Sequence, residues 1–301
     1  MFSILRTVIA VALLGVILLY INDHSAGIEN NFQKFTAAVS TDVGALVGNV
    51  ATSSKDTVDK IKDDISLPPP LVLPGTSSSS NGTLTSEGVI SLTNDQRVDN
   101  GDKVLTENAT LDEEALAKAD DIFKQQYFEH VNPEGVGPDG LASQYGYQYV
   151  TIGENLALGN FASNNDLITA WMNSPGHRAN ILNSKFEEMG AATLEGQYQG
   201  REVWVGVQEF GEPLSACPAI SASLQAKINT EKDSVDQYEN KLQAEKTQID
   251  DANPSSGDQY DAEVDQYNED IAAYNAMVAA LKADISQYNG EVDSFNSCVQ
   301  S

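Results

Sequence analysis

The chain has 301 residues, enough for one compact domain with extensions rather than one large core. Acidic residues outnumber basic ones 44 to 17, and the net charge of −27 argues against nucleic acid or anionic lipid headgroups as partners of the surface as a whole. Two cysteines, Cys217 and Cys298, exclude a disulfide-dense scaffold.

Residues 1–24 read as a membrane anchor or signal segment. Phe2–Ile21 is apolar apart from Ser3, Arg6, Thr7 and Tyr20, and as a helix it spans about 30 Å, the thickness of a bilayer core. Arg6 on the N-terminal side and Asp23 on the other put the N-terminus in the cytoplasm and the bulk outside. A single-pass anchor is the preferred reading. Cleavage near Ser25-Ala26-Gly27, giving a secreted protein, is the rival. Residues 25–66 follow as an amphipathic helical stalk, with Ile28, Phe32, Phe35, Val39, Val43, Leu46 and Val50 at three- and four-residue steps. Residues 67–85 read as a linker, stiff through Pro68–Pro74 and flexible through Gly75–Gly82.

A central domain is expected over 86–215. Val89–Arg97 and Leu111–Tyr127 read as helices, another starts at Asn165 or Asp166, and Glu188–Leu194 and Val203–Phe210 read as strands joined by a polar turn, Glu195–Gly200. Helix, helix, strand, strand suits an α+β domain. Ser174-Pro175-Gly176-His177 is built like a helix start, with Ser174 as cap, Pro175 in the first position and His177 in the first turn. The helix dipole there disfavours imidazolium, and a neutral ring suits a metal ligand or a general base. It equally suits a ring that only fixes the loop.

The motif Trp171-Met-Asn-Ser-Pro-Gly-His-Arg-Ala-Asn-Ile-Leu-Asn183, preceded by Gly153-Glu154-Asn155 and followed by Val203-Trp-Val-Gly-Val-Gln-Glu-Phe-Gly211, resembles the bacterial branch of the CAP superfamily. That is the family of cysteine-rich secretory proteins, antigen 5 and pathogenesis-related proteins. Tyr127–Gly135 resembles its F-x-H-x-x-P-x-G element, and Leu92, Asn94, Arg97, Gly101 and Leu105 fit its opening helix and loop. The resemblance implies a three-layer α-β-α sandwich. It also implies a cleft holding His130, His177 and the carboxylate Glu154 as the candidate catalytic residues.

Two imidazoles and one carboxylate with an open position are the ligand set of a catalytic-type zinc site, so zinc or another divalent metal on His130 and His177 is the candidate cofactor. The same residues serve equally as an acid/base pair without metal. Asn155, Asn173 and Ser174 are the further candidates for ligand contacts. Many eukaryotic relatives carry a second glutamate where Asn173 or Ser174 stands here, and Ser174 as a cap makes a poor nucleophile.

Residues 216–301 carry the clearest periodicity. Tyr260, Val264, Tyr267, Ile271, Tyr274, Val278, Leu281, Ile285, Tyr288, Val292 and Phe295 form a heptad seam. Leu224, Ile228, Val235, Tyr238, Leu242 and Ile249 continue the alternation upstream, with polar lapses at Glu231 and Glu245. Asn253–Asp258 breaks the helix between them. An antiparallel coiled-coil hairpin follows, with Leu224 against Val292, Ile228 against Tyr288, Val235 against Leu281, Leu242 against Tyr274 and Ile249 against Tyr267. That register brings Cys217 to Cys298 and predicts a disulfide, which requires an oxidising space.

The sequence therefore describes a membrane-anchored, extracytoplasmic protein of the cell envelope whose cleft binds a ligand or metal ion. A hydrolase of extracellular peptides or cell-wall polymers is one alternative. An adhesion or spacer protein meeting a protein or cell-surface partner through the hairpin is the other. Whether the chain is an enzyme stays open.

Overall fold

The computed structural model describes residues 65–73, 83–252 and 257–300. The expected anchor over 1–24 and nearly all of the stalk over 25–66 lie outside them. Among the described residues no helix is long and apolar enough to cross a membrane. The described chain divides into two compact units, 65–219 with 293–300, and 220–292.

The first unit is a mixed α+β fold. Its elements run β1 (Ile65–Ser66), β2 (Leu71–Val72), α1 (Ser86–Asn100), β3 (Thr106–Glu107), α2 (Ala109–Gln125), α3 (Pro138–Tyr145), β4 (Tyr149–Gly159), α4 (Asn164–Asn173), α5 (Pro175–Ile181), β5 (Glu188–Tyr198) and β6 (Arg201–Pro213). The sheet order is β1-β4-β6-β5-β3, with β2 also paired to β4. Local chemistry sets the helix ends. Thr85 caps α1 through the Gly88 amide, Asn108 caps α2, and Gly101 takes the left-handed conformation (φ 85°) that ends α1.

Alternation along the strands separates two cores. Leu156, Leu158, Val203, Val205 and Val207 pack with Ala115, Ala119 and Ile122 of α2. Ala157, Trp204 and Phe210 pack on the other side with Val89 and Ile90 of α1, Leu167, Ile168 and Trp171 of α4, and Ile181 of α5. Both faces of the sheet are covered, so its central strands are buried throughout.

Three expectations are corrected here. Strand β4, which contains Gly153-Glu154-Asn155, was not foreseen: buried on both faces, it lacks the polar/apolar alternation of a half-exposed strand. The turn between β5 and β6 is only Gln199-Gly200, both at positive φ (49° and 77°), and residues 195–198 continue the ladder to Tyr198 opposite Arg201. The end of the expected helical stalk and the start of the expected linker belong to the sheet, because Ile65-Ser66 and Leu71-Val72 pair in parallel with Ile152-Gly153 and Ala157-Leu158.

After β6 a short 3-10 turn, Leu214–Ala216, leads to Cys217, which is bonded to Cys298 at 2.04 Å as expected. The second unit is built from α6 (Ala222–Asp251) and α7 (Asp258–Val299) as far as Val292. Their seam residues form one buried cluster that includes Leu224, Ile228, Val235, Leu242, Tyr267, Tyr274, Leu281 and Ile285.

The expected pairing within that seam is overturned. Lys227 meets Asp284 and Lys241 meets Asp270, each at 2.7 Å, and Tyr238 donates to Asp270 at 2.6 Å. The expected register sets Tyr238 between Tyr274 and Leu281, well past Asp270. A slip of one heptad restores these contacts while leaving every seam residue on its face, and it levels the helix ends Asp251 and Asp258 across the turn. The cysteines still meet, because Cys217 and Ser221 are extended. Extended chain rises about 3.3 Å per residue against about 1.5 Å in a helix, so this short stretch takes up the difference.

Candidate functional site

The site straddles strand β4, which lies between β6 and the short edge strands β1 and β2. His130 lies in the loop after α2, held by the buried Lys118 ammonium, which donates to the carbonyls of Glu129 (2.8 Å) and His130 (2.5 Å). Its Nδ1 meets Glu154 Oε1 at 2.5 Å, and its Nε2 donates to the Pro68 carbonyl at 2.6 Å. A carbonyl only accepts, so Nε2 carries a hydrogen. Glu154, fully buried, sits on the α2 side of β4.

His177 comes from α5 on the other side of the sheet. Ser174 is the N-cap residue by conformation, yet its hydroxyl caps no backbone amide; it lies 2.7 Å from His177 Nδ1 instead. That corrects the expected capping role. The ring is held neutral as expected, but for another reason. Burial first, then the neighbouring His130, lower its pKa to about 4 against the weaker pull of the Leu156 backbone. His177 Nε2 is buried without a hydrogen-bond partner.

Asn155 uses its whole amide inside the fold: it donates to the His177 carbonyl (3.1 Å) and Gln208 (3.0 Å) and accepts from Asn180 (3.0 Å). Asn173 is exposed at the end of α4. With Ser174 and Leu71 it lines an open surface depression that contains none of His130, Glu154 or His177.

The sequence reading missed the polar groups around this centre. Glu209 of β6 stands opposite Glu154 of β4, and Glu114 of α2 is buried beside them. Burial, then the Glu154 charge and a hydrogen bond shared with it, hold Glu209 protonated far above the usual carboxylate range. Burial and Glu154 push Glu114 up to about 8. The available signal was Gln208-Glu209, two consecutive polar residues inside an otherwise apolar strand. Asn180 was missed too. Its side chain binds the Ser66 hydroxyl and carbonyl, the Glu154 carbonyl and Asn155.

Both nitrogens of His130 are engaged, and among the described residues no group of three His, Cys, Asp or Glu has a geometry that holds a metal ion. What the site offers is an N–H donor braced by a carboxylate, beside a neutral imidazole.

The cysteine-rich secretory protein (CAP) family matches residues 90–208, and the chain carries a domain of the bacterial branch of that superfamily. It is 33% identical over 159 residues to the uncharacterized protein YkwD of Bacillus subtilis strain 168, covering 53% of this chain and 57% of that protein. It is 30% identical over 109 residues to the uncharacterized membrane protein YlbC of the same organism, covering 36% of this chain and 31% of that one. The chain thus spans little more than half of the first relative and under a third of the second. Among solved structures it is similar to an extracellular protein containing a SCP domain from Bacillus anthracis, at 24% identity and a TM-score of 0.36, covering 42% of this chain and 39% of the other.

Proposed function

We propose that this is a membrane-anchored extracytoplasmic protein whose CAP domain, a three-layer α-β-α sandwich, binds a ligand through His130 and His177. The apolar run Phe2–Ile21 supports the anchor, and the Cys217–Cys298 bond supports an oxidising compartment. YlbC, a partial relative, is described as a membrane protein. The heptad seams of α6 and α7 support a coiled-coil hairpin.

One observation carries the ligand reading. Each buried imidazole is fixed through Nδ1, His130 by Glu154 and His177 by Ser174, so Nε2 is the working atom of each ring. His130 presents a hydrogen to an acceptor oxygen, and His177 Nε2 is buried with no hydrogen-bond partner of its own. Asn155 and Asn180 position the loop rather than touch the ligand.

The test is to follow the ring C–H resonances of the full chain, which has three histidines, during titration with zinc and with soluble cell-wall glycopeptides. Binding moves the His130 and His177 signals and leaves that of His24 in place. If neither probe moves either signal, with or without residues 65–73 over the site, the reading fails.

Hydrolysis is the second reading, favoured by the Ser174–His177 contact, which frees the hydroxyl from capping. It ranks lower because no carboxylate among the described residues orients His177. Labelling of Ser174 by a sulfonyl fluoride, lost in His177→Gln, would promote it.

A further inference from the structure

The segment Ile65–Leu73 is more than an edge strand. It pairs with β4 at two short stretches, Ile65-Ser66 and Leu71-Val72, and the Leu73 amide donates to the Leu158 carbonyl at 3.0 Å. Between them stand Pro68, Pro69 and Pro70. Proline has no N–H to give a ladder, so the chain must leave β4 there. Pro68 is buried, and its carbonyl takes the Nε2–H of His130.

The walls are shaped for this passage. A Cβ on Gly176, just before His177, would lie 2.6 Å from Pro68 Cβ. One on Gly153, just before Glu154, would lie 3.2 Å from the Ser66 carbonyl and 2.7 Å from the Phe186 ring. Glycine thus stands beside both members of the site, where the segment crosses it. Asn180 then reads the backbone and hydroxyl of Ser66. Together these are the features of a peptide groove: strand addition along β4, a backbone carbonyl on a fixed donor, and a proline seated in a slot.

We infer that the cleft is a binding groove for extended, proline-containing peptides and that Ile65–Leu73 is its ligand in cis, closing the groove until it is displaced. This rests on the ligand-binding reading of His130 and His177 and names its ligand class. Displacement breaks two two-residue pairings and the packing of Leu71 and Leu73, while Leu67 and Val72 are already exposed. It opens the edge of β4 and frees His130 Nε2 for a peptide carbonyl from another chain.

The test uses the full chain with residues 65–73 replaced by a Gly/Ser segment of equal length, and a fluorescent peptide, Ile-Ser-Leu-Pro-Pro-Pro-Leu-Val-Leu, followed by anisotropy. The replaced protein binds the peptide. The native chain binds it roughly 100-fold more weakly if its groove is closed about 99% of the time. Changing the three prolines to alanine, or adding His130→Gln to the replaced protein, weakens binding by about tenfold, the scale of one hydrogen bond to a fixed partner.

A replaced protein that keeps the near-ultraviolet signature of its buried tryptophans but ignores the peptide overturns the inference. So does a native chain that binds equally well. If replacement prevents folding, hydrogen exchange on the native chain decides. The Leu73 amide must exchange by local opening, well ahead of the β4–β6 ladder; exchange only with global unfolding makes the segment a permanent strand. Peptide failure with zinc or glycopeptide still moving the ring signals of the replaced protein sinks this inference alone. Silence from every probe sinks the ligand reading as well.

Discussion

The helical hairpin and the histidine cleft show opposite kinds of specification. In the hairpin one seam repeats every seven residues, and any slip by seven keeps Leu224, Val235, Leu242, Tyr274 and Leu281 buried. The apolar pattern names the faces and leaves the partners undecided. In the cleft nothing repeats: His130, Glu154, Asn155, Asn180 and Glu209 each have specific partners. Apolar periodicity therefore sets which side of an element is inside, and single polar contacts and chain connections set what it meets.

The strongest way to disturb the hairpin side of that contrast is to remove its covalent closure. Cys217 and Cys298 are separated by 81 positions, and loop-closure entropy for such a span gives an upper bound of about 4.5 kcal/mol. The Cys217→Ser/Cys298→Ser protein should melt well below the native one. Thermal unfolding with and without reductant checks this, since reductant should lower the native transition and leave the mutant's unchanged.

Next in size is the seam itself. Leu242 is fully buried and Leu116 on α2 is 52% exposed. Leu242→Ala should cost about 2–5 kcal/mol, while Leu116→Ala should stay within about 0.5 kcal/mol. Urea denaturation of the two single mutants gives the comparison. Equal effects would mean that the seam does not hold the hairpin.

The same contrast explains what the sequence disclosed. Helices α1, α2, α6 and α7 announced themselves by their apolar period, and β5 and β6 by alternation. Strand β4 did not, because burial on both faces removes alternation and places Glu154 and Asn155 where apolar residues would be expected. His130, Glu154 and His177 were legible through the family resemblance. Their partners Glu114, Glu209, Lys118 and Asn180 were not, since each lies on another element and its role depends on the assembled sheet. Residues 67–70 read as linker for a sound local reason: proline runs avoid sheets, and the pairing stretches on either side are two residues each.

The buried carboxylates sharpen the cleft side through pH. Glu114 has an ordinary pKa of 4.5, raised in the fold to about 8 by burial and Glu154. The folded state keeps a proton that the unfolded state releases, so stability falls as pH rises from about 4.5 to about 8. Glu209 acts in the same direction. His177 acts in the other: with a folded pKa of about 4 against 6.5, it loses stability as pH falls from about 6.5 to about 4. Glu114→Gln should therefore stabilise the protein more at pH 8.5 than at pH 4.5, by up to about 5 kcal/mol. His177→Gln should flatten the acid limb. Melting temperatures across that range separate the two.

The smallest expected effect decides the register. Lys241 meets Asp270, whose carboxyl is held well below its usual range by Lys241, then Tyr238 and Gln266. Lys241→Asp puts two acids together, and Asp270→Lys puts two bases together, so each single change should lower the melting temperature. The double change restores an opposite pair and should recover part of the loss. In the register one heptad away these residues are not neighbours, and the two changes would simply add. Additivity would therefore return the helices to the pairing that the periodicity alone suggested. A coupling that weakens with added salt would fix the slipped pairing, with a pair of surface charges deciding what the repeating apolar seam leaves open.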